Sequence, residues 1–103
     1  MAWRVIEADA ALRDLDEILT HVSGTLASPR AAARLLDDYA RVVETLESLP
    51  ESYPAVKDGT LRAMGYRFAK VGSYLVFFRA QRKESTVFID RVLYGRRNWM
   101  DFL

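Results

Sequence analysis

The sequence predicts an α+β fold in the order β-α-α-β-β-β: an antiparallel sheet with an N-terminal strand and a helical hairpin packed on one face. Three observations predict it. Residues 64–97 hold three short runs rich in Val, Phe, Tyr and Ile, separated by turn residues at 71–73 and 81–85, as in consecutive hairpin-linked strands. Residues 9–22 and 28–49 switch to an apolar spacing of three and four, as in amphipathic helices. Trp3 to Ile6 is a short apolar run, broken by Arg4, that reads as a first strand. At 103 residues, one domain over 1–103 is expected.

The first helix carries Leu12, Leu15, Leu19 and Val22 on one stripe, with Ile18 beside them. Asp9 is its expected N-cap, because a carboxylate accepts from the free N–H groups of the first turn. Gly24 is its expected stop, in the left-handed conformation. Ser28-Pro29 starts the second helix, since proline's fixed φ suits the first helical position. Its stripe is Leu35, Leu36, Tyr39, Val42, Val43, Leu46 and Leu49, and Pro50 and Pro54 stop it. Ala31, Ala32 and Ala33 let another backbone approach. Residues 50–60 read as a loop with an Asp58-Gly59 turn. The sheet region begins at Leu61 to Lys70, with Gly65 as a bulge, and continues through 73–79 and 86–93.

Both faces of that sheet are apolar. Tyr74, Val76 and Phe78 point one way and Leu75 and Phe77 the other; Phe88 and Val92 oppose Val87, Ile89 and Leu93. A helical hairpin covers one face only, and an uncovered face normally turns polar. The second face therefore needs the tail with Trp99, or a partner protein, to cover it.

Composition removes several function classes. The chain has no cysteine, so it has neither a disulfide framework nor a thiolate metal site. It has no run long enough to span a membrane and no signal-peptide pattern, so a soluble cytoplasmic protein is expected. Gly65, Gly72 and Gly95 are isolated and form no phosphate loop. His21, the one histidine, reads as a capping or surface residue. No metal and no cofactor is expected.

Charge is split. Residues 1–59 carry six bases against eleven acids, and residues 60–103 carry nine against three. This points to an anionic partner for the C-terminal part, or to acidic helices that complement a basic sheet within the fold. Arg62, Arg67, Lys70, Arg79, Arg91, Arg96 and Arg97 interleave with Tyr66, Tyr74, Phe77, Phe78, Tyr94 and Trp99. Guanidinium groups grip phosphates or carboxylates, and rings stack on bases, so either RNA or an acidic protein fits. Arg91 interrupts an apolar strand, where a charge needs a partner. Asp90 is not that partner, because strand neighbours face opposite sides.

The motifs taken together resemble a known family. Leu12-Arg13-Asp14-Leu15-Asp16-Glu17-Ile18, Ser28-Pro29-Arg30-Ala31-Ala32, Leu46 to Pro50, Gly65-Tyr66-Arg67, Val71 to Phe78 and Arg91 to Arg97 follow one another in the order of the RelE/ParE superfamily of toxins from type II toxin–antitoxin systems. The resemblance covers nearly the whole chain and implies the β-α-α-β-β-β fold. It also implies a cognate antitoxin that wraps and neutralises the toxin in a hetero-oligomer. RelE-like members cut messenger RNA on the ribosome; ParE-like members inhibit DNA gyrase; a degenerate member would keep only antitoxin binding.

The residues favour the second branch. RelE-like toxins place an arginine after the third-strand tyrosine, where Leu75 follows Tyr74 here. Their second catalytic arginine corresponds to Arg96 or Arg97. Their C-terminal tyrosine or histidine has no counterpart in Trp99-Met100-Asp101-Phe102-Leu103. Cutting RNA at the 2′-hydroxyl needs a proton acceptor and a donor, and arginine is a poor base. A ribonuclease would have to be built from Arg67, Arg97 and Tyr94. The expected surface for target or antitoxin is Arg67, Arg79, Arg91, Tyr94, Arg96, Arg97 and Trp99, with the tail after Arg97 as a further target contact.

Overall fold

The structure is a computed structural model and describes residues 2–103. The expected α+β architecture is present. Strand β1 (Arg4–Glu7) leads into α1 (Asp9–Thr20) and α2 (Pro29–Leu46). A short α3 (Gly59–Ala63) follows, then β2 (Tyr66–Val71), β3 (Tyr74–Gln81) and β4 (Thr86–Tyr94). The sheet order is β1-β4-β3-β2. The three C-terminal strands are antiparallel, as expected, whereas β1 runs parallel to β4, with Arg4 opposite Thr86 and Glu7 opposite Ile89. Apolar patterning sets which face is buried; it carries no information on strand direction.

Several local expectations change. Ala8, not Asp9, is the N-cap of α1, and no side chain caps it; Asp9 lies inside the first turn, where its charge meets the helix dipole. The helix does not stop at a left-handed Gly24. It widens into a π-helical turn, His21–Thr25, in which the Leu26 N–H donates to the His21 carbonyl at 3.0 Å. The left-handed residue is Ala27, at φ 50°. The inward stripe of α1 contains buried Ala11 and partly buried Leu15 and Ile18 and continues to buried Val22 in the π-helical turn, while Leu12 is 44% exposed.

The start of α2 matches its signal. Ser28 Oγ accepts the Ala31 N–H at 3.3 Å, and Pro29 occupies the first turn. The helix ends at Leu46, so Leu49 lies outside it and is exposed, as is Leu36. Ala32, Tyr39, Val42 and Leu46 are the buried residues of the helix.

Residues 50–63 are more ordered than a loop. Pro50–Ser52 forms a 3-10 turn, Ala55 bridges to Arg67, and Asp58 caps α3 by accepting the Leu61 N–H at 2.9 Å. Leu61 is therefore helical, and β2 begins only at Tyr66. Gly65 is no bulge. At φ +87° it closes α3, its N–H donating to the Arg62 carbonyl at 3.0 Å.

The bulge lies in β4. Phe77 opposes Arg91 but Phe78 opposes Ile89, so Asp90 is the extra residue. A bulge shifts the side-chain alternation of the strand that carries it. Val87, Ile89 and Val92 consequently join Val76 and Phe78 on the helix side. Leu93, expected alongside Ile89, instead joins Phe77 on the second face. That face is covered from within the chain: Val56, Leu61 and Tyr66 complete its buried cluster, and Trp99, Phe102 and Leu103 of the tail pack against it.

Candidate functional site

Of the strand arginines singled out by the sequence, Arg79 and Arg91 lie on the second face of the sheet and Arg67 on the helix face opposite Phe78, and the fold treats them unequally. Arg79 donates from Nε to Asp90 Oδ2 at 2.8 Å and from Nη2 to Oδ1 at 3.4 Å. The Tyr66 hydroxyl donates to the same carboxylate at 2.7 Å. The Arg79 guanidinium sits 5.6 Å from the ring centroids of both Tyr66 and Phe88. Burial, reinforced by the hydrogen bond to Asp90, pushes the Tyr66 phenol up to about 12. The hydrogen bond to Asp90 likewise raises Arg79, so its charge is permanent.

Arg91 has the partner its strand position demands. Its Nε and Nη2 donate to the two carboxylate oxygens of Asp14 at 2.7 and 2.8 Å, and the Val92 N–H donates to Asp14 Oδ2 at 3.0 Å. Arg67 donates to the Tyr53 carbonyl at 2.6 Å and the Glu51 carbonyl at 3.4 Å. Arg67, Arg79 and Arg91 are thus committed to internal partners, and Trp99 packs on Phe77 with centroids 5.2 Å apart.

Arg96, Arg97 and Tyr94 cluster at the other end of the sheet, where they are exposed. The Arg97 N–H donates to the Tyr94 carbonyl at 2.9 Å, and the Arg97 guanidinium lies 4.2 Å from the Phe102 centroid. Arg67 is not brought to this cluster. It opposes Phe78, whereas Tyr94 opposes Tyr74, four positions along β3, or ~13 Å at the rise of a strand.

Two surface grooves meet near Tyr94. One, about 710 Å³, lies where the π-helical turn and α2 face the β2–β3 turn; its walls include Val22, Leu26, Leu35 and Tyr74 and are mostly apolar. The other, about 480 Å³, lies over the second face between Lys70 and Arg96, above Phe68 and Leu75. A smaller cleft of about 280 Å³ brings Glu17 and His21 of the first helical segment beside Tyr94 and Arg97. Neither His21 nor Lys70 is among the binding residues expected from the sequence. Only folding brings His21 to Tyr94, which is far away in the chain. Lys70 carried a legible signal: it stands among the cations interleaved with rings in the sequence, the second in β2 after Arg67.

Among the described residues no group of three metal-ligating side chains converges, and no helix is long and apolar enough to cross a membrane.

A four-stranded sheet with an N-terminal edge strand, a helical hairpin on one face and a basic rim defines the RelE/ParE toxin class of fold. The family model described as the ParE toxin of the type II toxin–antitoxin system parDE matches residues 5–99, and the chain belongs to that family. No curated protein sequence matches it. Among solved structures it is similar to a chain of the chromosomal ParDE toxin–antitoxin system from P. aeruginosa, with a TM-score of 0.69 at 18% identity, covering 90% of this chain and 96% of that one. It is also similar to a chain of the RelBE2 toxin–antitoxin complex from Mycobacterium tuberculosis, with a TM-score of 0.59 at 24% identity, covering 91% and 99%. A chain of the intact E. coli RelBE complex matches with a TM-score of 0.56 at 19% identity, covering 93% and 100%. At these identities the likeness to solved structures is one of fold.

Proposed function

We propose that this toxin is held inactive in a hetero-oligomer with a cognate antitoxin, and that when free it arrests growth as a non-nucleolytic inhibitor of DNA gyrase. One observation carries the reading: the positions a ribonuclease of this fold would use are occupied by groups with other work. Leu75 stands where an arginine would contact RNA, and it packs into the second apolar cluster. Arg79 and Arg91 are neutralised by Asp90 and Asp14. Arg67 is tied to backbone carbonyls and stands well away from Tyr94. What remains exposed of those residues is a cationic rim of Arg96 and Arg97 beside Tyr94, suited to docking. Glu17 and His21 line the neighbouring cleft, but among the described residues no hydrogen bond ties either to Tyr94 as an acid–base pair would require.

The antitoxin part draws on the neighbours, three of which come from toxin–antitoxin systems. Its physical counterpart is the apolar groove at the end of the helical hairpin, beside which Leu26 is 59% and Tyr94 42% exposed. Lasting interfaces are large and apolar, and a groove of this kind supplies the start of one.

A supercoiling assay with purified toxin, with and without antitoxin, tests the proposal. Inhibition that antitoxin relieves is the expected result. Growth arrest without inhibition would remove gyrase as the target and move attention to ribosome-bound message.

A further inference from the structure

We propose that the second face of the sheet holds a binding site for a small amphipathic carboxylate: one aromatic ring, or a short apolar chain, ending in an anionic head. Two hollows that share a floor make the site. It is independent of which target the toxin acts on.

The apolar end lies beside the tail. A cleft of about 230 Å³ opens between residues 54–57 and Trp99, over Phe68, Leu75 and Phe77, and its walls are almost wholly apolar. The tail leaves this part of the face incompletely covered. Phe77 is fully buried, whereas Phe68, Leu75 and Trp99 are only partly so. An apolar cavity of about 150 Å³ is enough to take a benzene ring. This cleft therefore has room for one ring and a short spacer, which is the size of a small molecule.

The cationic end adjoins it. Phe68 and Leu75 also line the groove of about 480 Å³ that Lys70 and Arg96 flank, so the two hollows are continuous along the sheet. Register places them on one face. Phe68 opposes Phe77 and Lys70 opposes Leu75, and residues two apart on a strand point the same way. Lys70 stands ~7 Å along β2 from Phe68 at the rise of a strand. No carboxylate lines either hollow. Arg79, Arg82 and Arg91 each hold a carboxylate, whereas Lys70 and Arg96 have none among the described residues.

Charge and spacing assign the ligand. Two cations beside an apolar floor grip a carboxylate through charge-assisted hydrogen bonds. A ring joined to that carboxylate by a short methylene spacer reaches the cleft beside Trp99 and covers the apolar surface left open there. Lys57 borders the cleft as well, but it stands alone on its side. The head group is assigned to the end where two cations meet. A bare anion would use the cations and leave the cleft empty.

The probe is 4-phenylbutyrate, titrated into isotope-labelled toxin and followed by NMR. The chain has two tryptophans. Trp99 lines the cleft and Trp3 packs on the helix side, so their indole N–H signals serve as reporter and control. Saturable movement of the Trp99 signal and of the Lys70 amide, with Trp3 unmoved, is expected in the wild-type toxin, a readout that no variant's folding can confuse. Lys70→Gln with Arg96→Gln, both at exposed positions, should weaken binding roughly tenfold or more. Lys57→Gln should leave it unchanged. Acetate should leave Trp99 unmoved, and the neutral 4-phenylbutan-1-ol should bind more weakly than the acid. A Trp99 signal that does not saturate, or affinity unaltered in the Lys70→Gln, Arg96→Gln variant, would overturn the proposal. Acetate that moves the Lys70 amide with the same affinity would reduce the site to a bare anion site and overturn the amphipathic ligand. An equal loss in Lys57→Gln would overturn the placement of the head group. Displacement of the probe by the antitoxin would give the cleft to a side chain of that protein and overturn the small-molecule reading.

Discussion

Asp14 on α1 holds both the guanidinium of Arg91, at 2.7 and 2.8 Å, and the backbone N–H of Val92, at 3.0 Å. β1 ends its pairing with β4 at Ile89. Beyond that point the edge of β4 needs another acceptor, and the carboxylate of α1 provides one. The same group neutralises the charge that interrupts the strand. Asp14→Ala should therefore leave an unpaired, partly buried cation and an orphan edge donor, costing about 2–4 kcal/mol. Urea denaturation would measure it. Arg91→Met with Asp14→Leu should recover most of the loss, because an apolar pair carries no desolvation penalty.

Tyr39 and Tyr66 make stability pH-dependent in alkali. Each donates to a carboxylate, Glu7 at 2.6 Å and Asp90 at 2.7 Å. Burial, and then the hydrogen bond, raises both phenols above the ordinary value of 10.0, with Tyr66 pushed up to about 12. The unfolded chain therefore loses these protons first. Both contributions are fully present below pH 10.0; that of Tyr66 is lost as pH rises towards about 12, and that of Tyr39, which is raised further, is lost only at higher pH. Tyr66→Phe with Tyr39→Phe should flatten the fall of the melting temperature across that window.

Gly72 joins β2 to β3 at φ +58°, and a Cβ there would meet Leu35 Cδ2 at 3.1 Å. Gly72→Ala should cost about 1–2 kcal/mol from backbone strain. Crowding against α2 adds to it unless Leu35 shifts. Thermal melting reads the loss, and Gly72→Ala with Leu35→Ala separates the two contributions.

Trp99 seals the second face against Phe77. Trp99→Ala should cost roughly 2–4 kcal/mol, near the lower end of large aromatic truncations because the residue is only partly buried. Increased binding of a hydrophobic dye would show the cluster of Phe77 and Leu93 opening.

Tyr94→Phe separates binding from catalysis. The ring and its exposure stay while the proton is lost. Growth arrest should change by less than about twofold, whereas a general acid or base would lose on the order of a hundredfold. Growth curves after induction, in cells with matched toxin levels, decide it.

Much of this molecule is legible in its sequence. The element order apart from the short α3, the Ser28-Pro29 helix start and the strands expected at 73–79 and 86–93, found at 74–81 and 86–94, follow from periodicity and turn chemistry, which act between near neighbours. The need for a second apolar cover followed from Leu75 and Phe77, and the tail supplies it. The candidate surface was legible as a set of residue types only. Arg91 needed a carboxylate, and Asp14 could not be named as that carboxylate because the two are 77 positions apart.

The sequence alone determined which residues are apolar, where the chain turns, that it forms one α+β layer pair, and that its cations gather towards the C-terminus. Those are local properties of side chains and of φ preference. Tertiary structure decided the rest. It set β1 parallel to β4, placed the Asp90 bulge that moves Leu93 to the second face, and chose which arginines are neutralised and which stay exposed. Each of these depends on which distant segments come within hydrogen-bonding distance. Ion pairs are won by proximity in space, so a count of charges along the chain could show the basic surface but not which of its cations remain free to bind.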